Sequence, residues 1–124
     1  MIPFVTIGAK DRELAVAFYD PVLRAIGYER LPDYERWAAW APKGSGKTEI
    51  YVGAPFAGEP QAGNGIMVAL RAPHRDAVRA AHAAGLRSGG KDEGAPGCRP
   101  ADSDWYGAYL RDPTGNKICI CHSP

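Results

Sequence analysis

Few side chains in this 124-residue chain are suited to bond-making chemistry, and most of them stand apart. The densest grouping is Cys119-Ile120-Cys121-His122. On a strand the two thiols share a face and His122 points away, so the three do not converge on a tetrahedral metal site. The plainer reading is two small apolar side chains in a wall. A reactive thiol needs a depressed pKa, and Lys117 and His122 are the only basic neighbours in sequence. His74 and His82 fall on one side of a helix, with no Ser or Cys placed to make a nucleophile pair. They read as structural or solvent-exposed.

Ala41-Pro-Lys-Gly-Ser-Gly-Lys47-Thr48 looks at first like a phosphate-cradling loop. Its first position is Ala41 where such a loop has Gly, and the next residues, Glu49-Ile-Tyr-Val-Gly, are strand-like. A phosphate loop must open a helix whose N-terminus holds the anion, so this stretch reads as a hairpin loop. Trp37, Trp40, Tyr51, Tyr106 and Tyr109 are a heavy aromatic load for sheet strands. Singly each suits a core. Together with Phe4 and Met67 they describe an apolar cleft for a planar small molecule, with Glu49 and Tyr109 as candidate polar anchors. Alternation puts Trp37 and Trp40 on opposite faces, so at most one of them lines the cleft. Arg99, in a long loop, is a candidate cover for the cleft mouth, though a solvated loop arginine is the plainer reading.

The elements that must position these residues come in a repeated order. Met1 to Gly8 reads as a strand, with Phe4 and Thr6 on one face and Val5 and Ile7 on the other. Asp11 is a fitting N-cap. The helix after it presents Leu14, Phe18, Val22 and Ile26 as one apolar face, is expected to be interrupted or kinked at Pro21, and stops at Gly27. Strands are expected at Tyr28–Leu31, Glu35–Ala41 and Thr48–Gly53. Residues 54–63 read as a linker. Gly65–Arg71 then reads as a strand, Pro73–Leu86 as an Ala-rich helix with Pro73 in its first turn, Ser88–Lys91 as a short strand and Asp92–Asp104 as a loop. Trp105–Arg111 and Ile118–Cys121 form a hairpin around Asp112-Pro113-Thr114-Gly115-Asn116, a turn in which Pro113 presets φ, Gly115 takes φ > 0 and Asp112 caps its own backbone. The order is βαβββ twice, module 1 over about 1–54 and module 2 over about 64–124 of a single domain.

Tyr109-Leu-Arg-Asp-Pro-Thr-Gly-Asn-Lys-Ile118 near the end, together with Ala17-Phe-Tyr-Asp-Pro-Val-Leu23 in the first helix, resembles the vicinal oxygen chelate superfamily. That group includes glyoxalase I, extradiol dioxygenases, fosfomycin-resistance enzymes and bleomycin-binding proteins. The resemblance covers nearly the whole chain. It implies an α+β fold in which two βαβββ modules form a curved, partly closed eight-stranded sheet around a cleft, helices outside. Val5, Ile7, Ile50, Val52, Ile66, Val68, Leu70, Ile118 and Ile120 would then pack on the helices. The cleft would be lined by Phe4, Thr6, Tyr51, Met67, Ala69, Cys119 and Cys121.

Metal-dependent members of the family hold a divalent ion on His, Glu or Gln from the first and last strands of each module. The ion works as a Lewis acid on two neighbouring substrate oxygens. Carried onto this sequence, those positions fall on Phe4, Tyr51 (with Glu49 two residues away), Met67 and Cys119. Phe cannot ligate, Met is a soft ligand and neutral Tyr a poor one. The expectation is therefore no metal and no other cofactor.

The resemblance then leaves two main readings, beside a third, a metal-independent enzyme with Glu49 or Tyr51 as acid or base, for which only their position speaks. One is a small-molecule binding protein like the metal-free bleomycin-binding branch. The other is a metal-dependent lyase, isomerase or dioxygenase of the glyoxalase type. Bleomycin itself is cationic and suits an acidic binder better than a chain of formal charge +1. That charge also gives no reason to expect nucleic acid or an anionic membrane. No apolar run approaches the roughly 20 residues of a membrane span, and the N-terminus lacks a signal-peptide pattern. Three cysteines cannot all pair within one chain, which points to a reducing cytoplasm. By resemblance a homodimer is expected.

Overall fold

A computed structural model describes all residues, 1–124. Module 1 comprises β1 (Val5–Gly8), α1 (Arg12–Ala25), β2 (Tyr28–Tyr34), β3 (Trp37–Pro42) and β4 (Ile50–Gly53). Module 2 comprises β5 (Val68–Arg71), α2 (Arg75–Arg87), β6 (Lys91–Cys98), β7 (Tyr106–Arg111) and β8 (Lys117–His122). Each folds into a four-stranded sheet, in the order β1-β4-β3-β2 and β5-β8-β7-β6. The inner pair is parallel in both, Val5 beside Ile50 and Val68 beside Ile118, so the modules correspond strand for strand. The sheets do not close. Their edge strands β1 and β5 face each other across a cavity of about 350 Å³.

α1 starts where Asp11 accepts a hydrogen bond from the Leu14 amide at 3.1 Å and ends before Gly27, whose φ of 97° suits a residue without Cβ. It runs through Pro21 as one continuous helix, contrary to the expected interruption. The bond that Pro21 forfeits falls on the Ala17 carbonyl, on the exposed side of the helix, which is open to solvent. The buried face is Ala15, Phe18, Tyr19, Val22 and Leu23. Leu14, expected in the core, is 56% exposed because, in the first turn of the helix, it lies about 100° round from Ala15 and off the buried stripe. α2 starts one residue after His74, whose Nδ1 caps the Ala77 amide, so Pro73 precedes the helix instead of occupying its first turn.

One core serves both modules. Trp40, Ile50, Val52, Leu110, Ile118 and Ile120 from the sheets meet Phe18, Tyr19, Val22 and Val78 from the helices. The helices pack on each other across Gly85, where a Cβ would come within 2.6 Å of Leu110 and 3.2 Å of Phe18. Ile66, expected to pack there, is 69% exposed because β5 begins only at Val68.

Two strands run longer than the sequence suggests. β2 continues past Pro32 to Tyr34, and a two-residue turn at Glu35–Arg36, Glu35 with φ 51°, replaces the expected start of the next strand. β6 occupies Lys91–Cys98: it begins where the expected Ser88–Lys91 strand ends and runs through the stretch read as a loop from Asp92. Both are edge strands with irregular register. An edge position tolerates proline because its outward amide needs no ladder partner.

The Asp112–Asn116 turn joins the modules. Asp112 Oδ1 accepts from the amides of Thr114, Gly115 and Asn116, each at 2.9 Å, and Oδ2 accepts from Tyr19 Oη at 2.6 Å. Asn116 Nδ2 donates both to Asp112 and to the Gly8 carbonyl at the end of β1. Burial, together with the adjacent Asp112 carboxylate, holds the Tyr19 phenol well above its usual range, so it stays a donor.

Candidate functional site

On the inner face of module 1, β1, β3, β4 and the linker converge on a cup. Thr6 pairs with Tyr51 across β1 and β4, and Tyr51 with Ala39 across β4 and β3. Phe4 meets Tyr51 edge-on at 5.4 Å, and Tyr34 meets it at 6.4 Å. Trp37 lies against β4 because its cross-strand partner is Gly53, where a Cβ would come within 3.0 Å of the indole. Phe56, from the linker, closes on Trp37 at 6.3 Å, with the Arg36 guanidinium 4.8 Å from its ring. Phe4, Thr6, Tyr34, Trp37, Tyr51 and Phe56 enclose about 270 Å³. Beneath this lining, by strand register, lies the small, buried Ala39 opposite Tyr51, and the Thr6, Tyr34 and Tyr51 hydroxyls are the polar handles. Trp40 points the other way into the core, with Nε1 donating to Asp20 at 3.1 Å.

The matching face of module 2 is filled. By strand register Tyr109 stands where module 1 has Ala39, and Gly107 where it has Trp37. Trp105 folds over Gly107, leaving no room for a Cβ, and tilts against Tyr109 at 6.3 Å. Arg99 lies 5.0 Å from the Tyr109 ring, and its guanidinium donates to the carbonyls of Ala95, Gly97 and Gly107. It is therefore a structural plug over Tyr109, not a solvated loop residue. Cys119 beneath is 1% exposed, and burial, reinforced by neighbouring Cys121, pushes its thiol up to about 12. It is a resting thiol at neutral pH.

The residues singled out from sequence thus divide. Phe4, Thr6, Trp37 and Tyr51 come together in the cup. Tyr109, Cys119 and Cys121 lie on the filled face. Met67 and Glu49 line the cavity between β1 and β5, where Glu49 accepts from Tyr28 Oη at 2.9 Å. Burial first, and Glu49 second, push the Tyr28 phenol up to about 12. Tyr34 and Phe56 complete the cup and come from stretches read as a turn and a linker. His82 is a buried seam residue, with Nε2 2.9 Å from Asp92 and the imidazole holding that carboxyl below its usual range. His122 Nδ1 contacts the Ala72 carbonyl at 3.0 Å.

A divalent ion at the family positions would meet Phe4, Tyr51, Met67 and the high-pKa thiol of Cys119, and no three His, Cys, Asp or Glu side chains converge anywhere in the chain. The donor set does not fit the metal.

Two open four-stranded sheets of βαβββ order, stapled by an Asp-Pro-x-Gly-Asn turn and enclosing a cup, define a vicinal oxygen chelate fold. A glyoxalase/bleomycin resistance protein from Albidiferax ferrireducens is 33% identical, with 98% of this chain and 97% of that one covered and a TM-score of 0.84. The chain belongs to the glyoxalase/bleomycin resistance protein family. A glyoxalase-related enzyme from Fulvimarina pelagi shares the fold at 16% identity, covering 100% and 88% of the two chains, with a TM-score of 0.75. An antibiotic binding protein from Streptomyces does so at 24% identity, covering 100% and 96%, with a TM-score of 0.66. No protein-family model and no curated protein matches the sequence. No helix is long and apolar enough to cross a membrane.

Proposed function

We propose that this protein binds a small, flat, apolar or aromatic molecule in the module 1 cup, and that it does so without a divalent metal. The observation that carries the reading is the ring of Phe4, Tyr34, Trp37, Tyr51 and Phe56 around about 270 Å³ of open space. Aromatic walls with a few hydroxyls bind planar ligands by stacking and leave little to activate a bond. An antibiotic binding protein has the same fold, so the fold is compatible with such binding. The alternative, a metal-dependent lyase or dioxygenase, lacks the hard donors its chemistry requires. The three free cysteines of the chain suit work in a reducing cytoplasm. A homodimer would cover the exposed rim of Phe4, Ile66 and Met67.

The test is a thermal-shift screen with planar aromatic compounds, with and without Fe, Mn, Ni or Zn. A ligand that binds only the folded chain raises Tm. The expected result is a metal-independent rise that Trp37→Ala weakens about 30-fold in Kd. Near-stoichiometric metal in protein purified without chelator, or binding that requires added metal, overturns the proposal.

A further inference from the structure

A second binding feature lies on module 2, away from the cup and independent of the reading above. Strand register sets Lys91 directly opposite Arg111, and Arg111 directly opposite Lys117. Paired residues on neighbouring strands point to one face, so three cations stand side by side across β6, β7 and β8. Like charges in that arrangement repel. One carboxylate answers them: Glu93 accepts from Arg111 Nε at 2.9 Å. Lys91 and Lys117 have no carboxylate within salt-bridge distance. Lys117 instead sits 5.2 Å from the Tyr109 ring, which Arg99 also faces.

The corresponding row in module 1 has the opposite sign. Glu29 pairs with Ala41, and Glu49 stands one residue ahead of β4 as Lys117 stands one ahead of Ile118. The basic row is therefore a local property of one module in a chain of formal charge +1.

The row borders open space. Arg111 and Lys117 line a depression of about 550 Å³ walled by the glycine-rich stretch 62–67, and Lys91 and Arg111 line an adjoining one of about 290 Å³. Asp112 also lines the smaller one, but its oxygens are taken up by backbone amides, Tyr19 and Asn116. The geometry points to an oxyanion site: Lys91, Arg111 and Lys117 bind the phosphate or carboxylate group of a small organic anion whose body lies in the larger depression. The lysine ammoniums suit such groups as point charges, and Arg111, whose Nε is held by Glu93 and whose Nη1 donates to the Gly115 carbonyl at 3.1 Å, offers its Nη2 and its charge.

The probes are pyrophosphate and citrate, titrated into the full chain at fixed ionic strength against chloride, with calorimetry and Tm as readouts. Holding ionic strength fixed removes simple screening. Saturable binding of one or both is expected, and their ranking separates a phosphate from a carboxylate ligand. Lys117→Gln should weaken it about tenfold. Lys91→Glu should raise Tm in chloride, by relieving the repulsion, and remove the anion-induced rise. Trp37→Ala should leave anion binding unchanged, which keeps this test separate from that of the cup. The proposal falls if neither anion saturates, if both lysine variants bind as the parent does, or if the anions act only by separating chain copies, which would make the row a contact between them.

Discussion

In module 1 the residue opposite Tyr51 is Ala39; in module 2 the residue opposite Cys119 is Tyr109. In module 1 the next inward position along β3 is Trp37; its counterpart on β7 is Gly107, roofed by Trp105. Two sheets of the same strand order and pairing thus carry opposite inner faces. A small residue on the floor and a large one on the wall leave a cup. A large residue on the floor and a glycine on the wall let Trp105 and Arg99 fill the space. The comparison teaches that cavity location in this fold is set by two side-chain sizes and not by the sheet.

The comparison can be broken most severely by removing what holds the two faces in one frame. Asp112→Ala strands several backbone amides and the Tyr19 hydroxyl, and should cost about 3 kcal/mol or more in urea unfolding. A loss under about 1 kcal/mol would mean that the modules stand without the staple. Ala39→Tyr imports the module 2 floor into module 1. It should abolish the ligand-induced Tm rise while costing about 1–3 kcal/mol of stability through crowding; retained binding would show that ligands do not enter the cup. Arg99→Ala does the reverse on module 2, unpairing three carbonyls. We expect a loss of about 1–3 kcal/mol with cup binding intact, measured by unfolding and titration side by side.

A smaller, pH-dependent difference should also appear. Tyrosines in the unfolded chain lose their proton near pH about 10. Tyr28, raised to about 12, and Tyr19, held well above its usual range by burial and by Asp112, keep theirs when folded. Their contribution is complete below about pH 10 and is lost as pH rises through the folded values. Tyr28→Phe should flatten that decline between about pH 10 and 12, an effect that module 2 cannot show because Lys117 stands where Glu49 does in module 1. At neutral pH, mass spectrometry after brief alkylation should find Cys119 unmodified while Cys121 reacts, since Cys119 is both buried and protonated.

Much of this frame is legible from residue order alone. The Asp112-Pro-Thr-Gly-Asn turn announces itself because each residue serves the turn locally. The alternation in Val5–Ile7, Ile50–Val52 and Ile118–Ile120 marks the faces. The illegible parts have a common cause. Tyr34 and β6 lie beyond Pro32 and around Pro96, residues that read as breaks and are tolerated only because the strands are at sheet edges. Phe56 belongs to a proline- and glycine-rich linker, and its contact with Trp37 is a tertiary matter. Arg99 gives no local sign that three carbonyls will converge on it. Leu14 and Ile66 err the other way: periodicity marks them as inward, but Leu14 sits at the edge of the helix's buried stripe and Ile66 two residues before its strand begins.

The staple between Asn116 and Gly8, and between Asp112 and Tyr19, has a further consequence. The last hairpin completes its bonding only against residues from the first quarter of the chain. A proteolytic cut within 54–63 should therefore yield two fragments that stay associated and melt together, and the second fragment expressed alone should lack the Tyr19 and Gly8 partners of its turn. The two modules of this chain share one core, with the chain's beginning and its end closing on each other.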